Sequence, residues 1–197
     1  MKPFAPSCEN NKNFILDILR VEFSDRRSVL EVGSGTGQHA AFFAEHLPHL
    51  HWQTSDLPEN HAGICEWIEE AGLPNLKKPL DLNAEKQPWD IEPVDAVFSA
   101  NTLHIMSWQQ VGLFFQGLPN ILLPQAKVVI YGPFNYNGDF TSESNARFNE
   151  WLKTQAPYRA IRDFEAVNTL AESVGLTLLN DYEMPANNRI LVWQYHT

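Results

Sequence analysis

The sequence predicts an α/β protein: a mostly parallel sheet with helices on both faces, closed by an antiparallel pair of strands at the C-terminus. Three observations predict it. Short apolar runs alternate with segments of helical periodicity, the pattern of strands joined by crossover helices. The first such run, Ser28 to Val32, leads straight into Gly33-Ser34-Gly35-Thr36-Gly37. The chain finishes with two apolar runs, Leu176 to Tyr182 and Ile190 to Tyr195, joined by Pro-Ala-Asn-Asn, a connection short enough for a hairpin.

The elements follow in order. A helix is expected from about Glu9 to Phe23, with Ser7 as N-cap and Phe14, Ile15, Ile18 and Leu19 on one apolar face. After the first strand and its glycines, a helix runs from about Gln38 to Leu47 and stops at Pro48. His51 to Ser55 is the second strand, closing on Asp56; residues 59–71 are helical, with Gly72 just past the end. A third strand is expected near Lys78 to Leu82, a fourth at Val94 to Ala100, a helix at Trp108 to Gln116 and a fifth strand at Lys127 to Tyr131. Asn135 to Ser144 reads as a polar loop over the active face. Phe148, Trp151 and Leu152 mark a short helix, and Phe164 to Val174 another, stopped by Gly175. Five strands and the terminal pair make a seven-stranded sheet.

Composition bounds the function. The 197 residues suffice for one domain spanning 1–197, with a sizeable core and no need of disulfides. Fourteen basic against 24 acidic residues give a net charge of −10, and the only basic pairs are Arg26-Arg27 and Lys77-Lys78. A surface built to neutralise phosphates needs clustered cations, so nucleic acid is not the expected partner, and neither is an acidic membrane. No run approaches the roughly 18 apolar residues of a membrane span, and the N-terminus lacks a signal peptide's apolar stretch. Cys8 and Cys65 make no disulfide framework and no zinc spacing; a reducing, cytoplasmic setting and no metal are expected. No repeat or low-complexity segment interrupts the chain.

The strongest local signal is Glu31-Val32-Gly33-Ser34-Gly35-Thr36-Gly37. Glycines at the end of a first strand let the backbone pass close to a ligand, and the following helix offers free N–H groups. A nicotinamide site wants G-x-G-x-x-G; here the third glycine comes one residue early and Gln38 stands where glycine is needed. A phosphate-binding P-loop fails because no Gly-Lys-Ser/Thr follows. The glycines alone are also compatible with nothing more than a tight strand–helix turn.

Glu-x-Gly-x-Gly-x-Gly after a strand resembles the first motif of the class I S-adenosylmethionine-dependent methyltransferases, and the resemblance implies their Rossmann-like fold. It implies that the tight turn, with Glu31, Gly33, Ser34, Gly35 and Gly37, packs against the amino-acid part of the cofactor. It implies that Asp56, 19 positions after Gly37, accepts hydrogen bonds from both ribose hydroxyls, with Leu57 beside it. Asp81 falls where an acidic residue is expected near the adenine amino group, and Leu82 next to it as an apolar wall. Asp95 begins the fourth strand, where it reads as structural, and Ser99-Ala100-Asn101 ends it at the reaction site.

A closer likeness runs over nearly the full length. Ser7-x-Glu9-Asn10-Asn11, Ser34-Gly35-Thr36-Gly37-Gln38-His39, Trp52-Gln53-x-Ser55-Asp56, Asn101-x-x-His104-Ile105, Tyr131-Gly132-Pro133-Phe134 and Met184-Pro185-Ala186-Asn187-Asn188 look like the methyltransferase-like proteins of domain-of-unknown-function family 938. One departure is Asn10, where the family pattern leads one to expect arginine.

Methyl transfer from a sulfonium is an in-line displacement, so alignment supplies much of the rate and a protonated nucleophile must lose its proton. His104, just past the fourth strand, is the candidate base, with a capping or carbonyl-binding role as the alternative. Asn101 is a candidate for orienting substrate or binding the cofactor's amine. Phe134, Asn135 and Tyr136 follow the fifth strand on the carboxyl edge, where open α/β sheets bind ligands, and Asn188 lies in the last turn; all four are candidate substrate contacts. The Asn-Pro-Pro-Tyr type of motif for planar nitrogens is absent, Ser99-Ala100-Asn101-Thr102 standing in its place.

The expected function is therefore methyl transfer from S-adenosylmethionine to a small molecule, giving S-adenosylhomocysteine. The alternative is a protein that binds either compound without transferring methyl, as a sensor or partner subunit. A nicotinamide oxidoreductase is weakest, because of Gln38. A hairpin strand at a sheet edge can pair between subunits, which leaves a homodimer open.

Overall fold

The computed structural model describes residues 2–196; Met1 and Thr197, the ends of the expected 1–197 domain, lie outside the described residues. Seven strands form one sheet in the order β3-β2-β1-β4-β5-β9-β8. These are β1 (Ser28–Val32), β2 (His51–Asp56), β3 (Leu76–Asp81), β4 (Val94–Ala100), β5 (Leu122–Gly132), β8 (Leu176–Met184) and β9 (Asn188–Tyr195). The first five are parallel; β9 runs antiparallel between β5 and β8. The expected α/β class, seven strands and antiparallel C-terminal hairpin are all present. A parallel pair of two-residue strands, β6 (Phe134–Asn135) and β7 (Arg162–Asp163), forms a second small sheet.

The sheet is apolar on both faces because α1 (Pro6–Glu22), α2 (Gln38–His46) and α3 (His61–Ala71) cover one, and α4 (Trp108–Gly117) and α6 (Phe164–Ser173) the other. Alternation along the strands sorts residues between them. Val29, Phe98 and Val129 pack with Ile15, Leu19, Phe43 and Ile64, whereas Leu30, Val97 and Val128 pack with Val111, Phe115 and Val167. Trp52, Phe43 and Phe98 are fully buried with ring centroids 5.5 to 5.8 Å apart, each burial contributing about 2–3 kcal/mol. The remaining α-helix is α5 (Glu143–Gln155).

Several boundaries differ from expectation. The first helix starts at Pro6 with Ala5 as N-cap, not Ser7, since proline is suited to the first helical turn. Phe14 leaves the apolar face: it is 50% exposed while Ile15, Leu16 and Leu19 are buried. A 3-10 turn at Pro58–Asn60 precedes α3, and Gly72 closes that helix in the left-handed region at φ 60°. The fifth strand starts five residues early, because Val94 pairs with Leu122 before Leu123 to Ala126 bulge out and pairing resumes at Ala96–Lys127. Ser142 caps α5 by accepting from the Asn145 N–H, so the polar loop is shorter than Asn135 to Ser144 and the helix longer than its apolar residues suggested. Asp95 holds the start of β1, accepting from the N–H groups of Arg27 and Ser28, which bears out a structural role. Among the described residues, no helix is long and apolar enough to cross a membrane.

Candidate functional site

The chain runs outward from β1 to β3 on one side and from β4 to β5 on the other. The carboxyl ends of β1 and β4 are therefore the switch point, where open α/β sheets bind ligands. Gly33 leaves β1 with φ 77°, a left-handed conformation suited to glycine, and a β-carbon there would stand 2.6 Å from Thr102 Cγ2. The turn is thus pressed against the segment leaving β4. Asn101 in that segment also holds a positive φ, 57°, the kind of local strain found at ligand sites.

The turn is ordered by two acidic side chains. Glu31, buried in β1, accepts at Oε2 from Ser34 Oγ at 2.8 Å and from Trp52 Nε1 at 3.2 Å. Burial pushes Glu31 up to about 7; those two hydrogen bonds oppose the rise and Asp56 adds to it. Asp56, at the end of β2, accepts from Gly35 N at 2.7 Å, from Leu57 N at 2.7 Å and from Asn60 Nδ2 at 2.7 Å. Gln38 ties the turn to the first helix: its Oε1 accepts from Ala5 N at 2.5 Å and Thr36 Oγ1 at 3.0 Å, and its Nε2 donates to Glu9 at 3.2 Å. The residue that departs from the dinucleotide fingerprint is a structural clasp.

Besides a hollow of about 410 Å³ beside Gly35, Thr36 and Asn60, two cavities open at this edge among the described residues. One, of about 420 Å³, brings together Gly33, Asp56, Leu57 and Leu82 with Thr102 and Arg159. Asp81 is exposed and lines an adjoining hollow of about 170 Å³ instead. The other, of about 390 Å³, is lined by Asn101, Asn188, Tyr131 and Pro133, with Asn10 and Phe14 from α1. Asn101 lines one cavity and its neighbour Thr102 the other.

The remaining candidates divide. Phe134 is 1% exposed and belongs to the core beneath the sheet, and Tyr136 donates to Asp181 Oδ2 at 2.8 Å and stacks on Phe164. Neither lines a cavity described here, because the β6–β7 pairing turns this segment onto α6 and the hairpin. Asn135 is buried, and its Oδ1 has no partner among the described residues. His104 is buried edge-on against Phe148, at 5.4 Å between ring centroids, and lines neither cavity. Burial, then the nearby Arg162 and Arg159, push it down to about 4, so the ring is neutral at pH 7.

Sequence reasoning missed Arg159, Asn145 and Phe148, which come from α5 and the loop after it and carry no motif. Arg159 Nε is buried without a partner among the described residues. It also missed a Cys-His-Asn constellation: Cys8 Sγ lies 3.9 Å from His39 Nδ1, and His39 Nε2 lies 2.7 Å from Asn11 Oδ1. Burial pushes Cys8 up to about 11 and His39 down to about 4, so both are neutral and the reactive thiolate–imidazolium pair is not formed at pH 7. Among the described residues, no three His, Cys, Asp or Glu side chains group to hold a metal.

The family described as "Protein of unknown function (DUF938)" matches residues 2–195. The fold is similar to that of an O-methyltransferase family protein from Burkholderia thailandensis, with TM-score 0.84 and 15% identity over 94% of this chain and 56% of the other. It is similar to the S-adenosylmethionine-dependent methyltransferase SibL, with TM-score 0.81 and 20% identity over 96% and 56%. It is also similar to an O-methyltransferase family 2 protein from Planctomyces limnophilus in complex with apigenin, with TM-score 0.79 and 17% identity over 94% and 56%. The chain spans little more than half the length of these proteins.

Proposed function

This chain belongs to the DUF938 family, and from that premise we propose that it is an S-adenosylmethionine-dependent methyltransferase, one domain acting on a small-molecule acceptor. The observation that carries the reading is the glycine turn closed onto Asp56 through the Gly35 N–H, at the switch point and open to a 420 Å³ cavity. These residues suit the cofactor. Gly33 leaves no room for a side chain where the turn faces the cavity. Asp56 is an acceptor-only group, and three of its about four lone-pair sites are taken. Asp56 would hold the ribose hydroxyls through its free acceptor site and the one now taken by the Asn60 amide, a residue that also lines the cavity. Leu57 and Leu82 serve as apolar walls for the base; Asp81 lines the adjoining hollow instead. Glu31 and Ser34 hold the turn. When bound, the cofactor supplies an electrophilic methyl group with a neutral thioether as leaving group.

The acceptor belongs in the 390 Å³ cavity, reached past Asn101. There the side chains align and desolvate it, the main source of rate for an in-line displacement. His104 is neutral and free to accept, but its depressed basicity suits it only to an acidic proton. The second reading, binding without transfer, rests on a different observation: His104 lines neither cavity. Two unpaired cysteines, Cys8 and Cys65, accord with a reducing, cytoplasmic setting.

Calorimetric titration with S-adenosylmethionine and S-adenosylhomocysteine tests the reading. We expect micromolar binding, and at least a hundredfold loss in Asp56→Ala with an unchanged circular dichroism spectrum. Absence of binding by the unaltered chain would sink it. Formation of S-adenosylhomocysteine in the presence of a metabolite extract separates transfer from binding alone.

A further inference from the structure

We propose that the 390 Å³ cavity selects an uncharged, planar small molecule bearing both hydrogen-bond donors and acceptors, and that Asn10 at its mouth sets that selection. The proposal rests on the reading of this cavity as the acceptor site and deepens it.

The chain carries 24 acidic and 14 basic residues, yet among the described residues no charged side chain lines this cavity. Its polar lining is amide and hydroxyl: Asn10, Asn11, Asn101, Asn145 and Asn188, with Ser7 and Ser144. Three of these amides are held in place by the protein. Asn11 Oδ1 meets His39 at 2.7 Å, Asn145 Nδ2 donates to Thr141 Oγ1 at 3.0 Å and Asn187 O at 3.1 Å, and Asn188 Nδ2 donates to Pro185 O at 3.2 Å. Asn10 is exposed at the mouth. An amide presents one acceptor and two donors and no net charge. A carboxylate or ammonium entering here leaves water and meets no counter-charge, a penalty that hydrogen bonds to neutral amides only partly offset. A neutral molecule with matching donors and acceptors meets none of that cost, and an analogue lacking them leaves buried amides unpaired.

The apolar half of the lining argues for a flat ring. Phe14, Tyr131 and Phe148 contribute aromatic faces, and Pro133, Pro185 and Ala186 complete the wall. Phe14 is half exposed on a helix whose neighbouring apolar residues are buried; its ring has left the core to line this cavity. Aromatic faces favour planar partners through offset and edge-to-face contact.

The test is a fluorescence titration of three 6-substituted naphthols of similar size and different charge: 6-(hydroxymethyl)-2-naphthol, 6-hydroxy-2-naphthoate and 6-(aminomethyl)-2-naphthol. The protein is loaded with S-adenosylhomocysteine, which lacks the sulfonium charge, so the comparison isolates the lining. We expect 6-(hydroxymethyl)-2-naphthol to bind about tenfold or more tightly than either charged analogue. Asn10→Arg should shift preference about tenfold toward the carboxylate, and Asn10→Asp about tenfold toward the ammonium, with S-adenosylhomocysteine affinity unchanged. Equal or tighter binding of a charged naphthol, or no binding of any of the three, overturns the proposal while leaving the cofactor reading intact. If S-adenosylhomocysteine itself fails to bind, the cofactor reading falls instead, and the same titration on the unloaded chain still decides the charge preference.

Discussion

Gly33 is where backbone conformation and packing make the same demand. Its φ of 77° costs an L-residue about 1–2 kcal/mol, and a β-carbon would meet Thr102 Cγ2 at 2.6 Å. Thr102 cannot easily yield, because its Oγ1 is bonded to Ser99 Oγ at 2.5 Å and to the Ala100 carbonyl at 3.2 Å. Gly33→Ala should lower stability by about 2–3 kcal/mol in urea unfolding and weaken cofactor binding. Adding Thr102→Ser removes the methyl group and should recover the crowding part but not the conformational part. An unchanged urea midpoint for Gly33→Ala would show that the turn is not under this constraint. The placement of Gly33 just past β1 and of Asp56 at the end of β2 was legible in the sequence, because each follows directly on a short apolar run. Phe134 and Tyr136 misled for a physical reason: they follow Pro133 on the ligand-binding edge, but pairing of β6 with β7 turns them away from both cavities. Asn10 stood out only as a departure from a family pattern and Asn145 gave no signal, since an asparagine on a helix surface is ordinary until two helices face the same hollow.

Among the elements, the strands were the most legible, because burial on both faces leaves near-continuous apolar runs. The segment between α5 and β7 was the least, and it holds Arg159 at the 420 Å³ cavity. Its anchor is Arg162, whose guanidinium donates to the carbonyls of Leu103 at 3.2 Å, Tyr158 at 2.9 Å and Met106, and lies over the Trp108 ring at 5.9 Å. Ala160 N donates to His104 O at 3.1 Å, a second tie between the same two segments. Carbonyl acceptors belong to every residue, so no sequence pattern marks these contacts. Arg162→Ala should leave the sheet intact but speed amide exchange in residues 101–106 and 156–161, with a several-fold loss of cofactor affinity. Arg162→Lys should rescue only partly, because one ammonium cannot reproduce the fixed fork that reaches three carbonyls. Exchange unchanged in both segments would show that the loop is held by something else.

At the scale of the whole molecule, three buried titratable groups set how stability varies with pH. His39 and His104 are each pushed by burial to about 4 from an ordinary 6.5. Between those values the unfolded chain binds protons that the folded one does not, so each costs about 1.4 kcal/mol per unit as pH falls. Glu31 acts with opposite sign. Raised by burial to about 7 from 4.5, it keeps its proton in the folded state while the unfolded state has lost it, so it favours folding as pH falls from 7 to 4.5. Two losses and one gain leave a net decline of about 1.4 kcal/mol per unit between pH 6.5 and 4.5. Glu9 and Glu22, held below their ordinary range, add their own losses only at still lower pH. Glu31→Gln keeps an acceptor for Ser34 and Trp52 and removes the titration. Its stability should roughly match the unaltered chain near pH 4.5 and exceed it by about 3 kcal/mol at pH 8, where the buried carboxylate is otherwise charged. Its acid-side slope should be about twice as steep, because the offsetting group is gone. Urea midpoints taken from pH 4.5 to 8 measure both quantities. Parallel curves for the two proteins would mean that Glu31 is already ionised at neutral pH, and that Ser34 and Trp52 hold a carboxylate rather than a carboxylic acid at the root of the glycine turn.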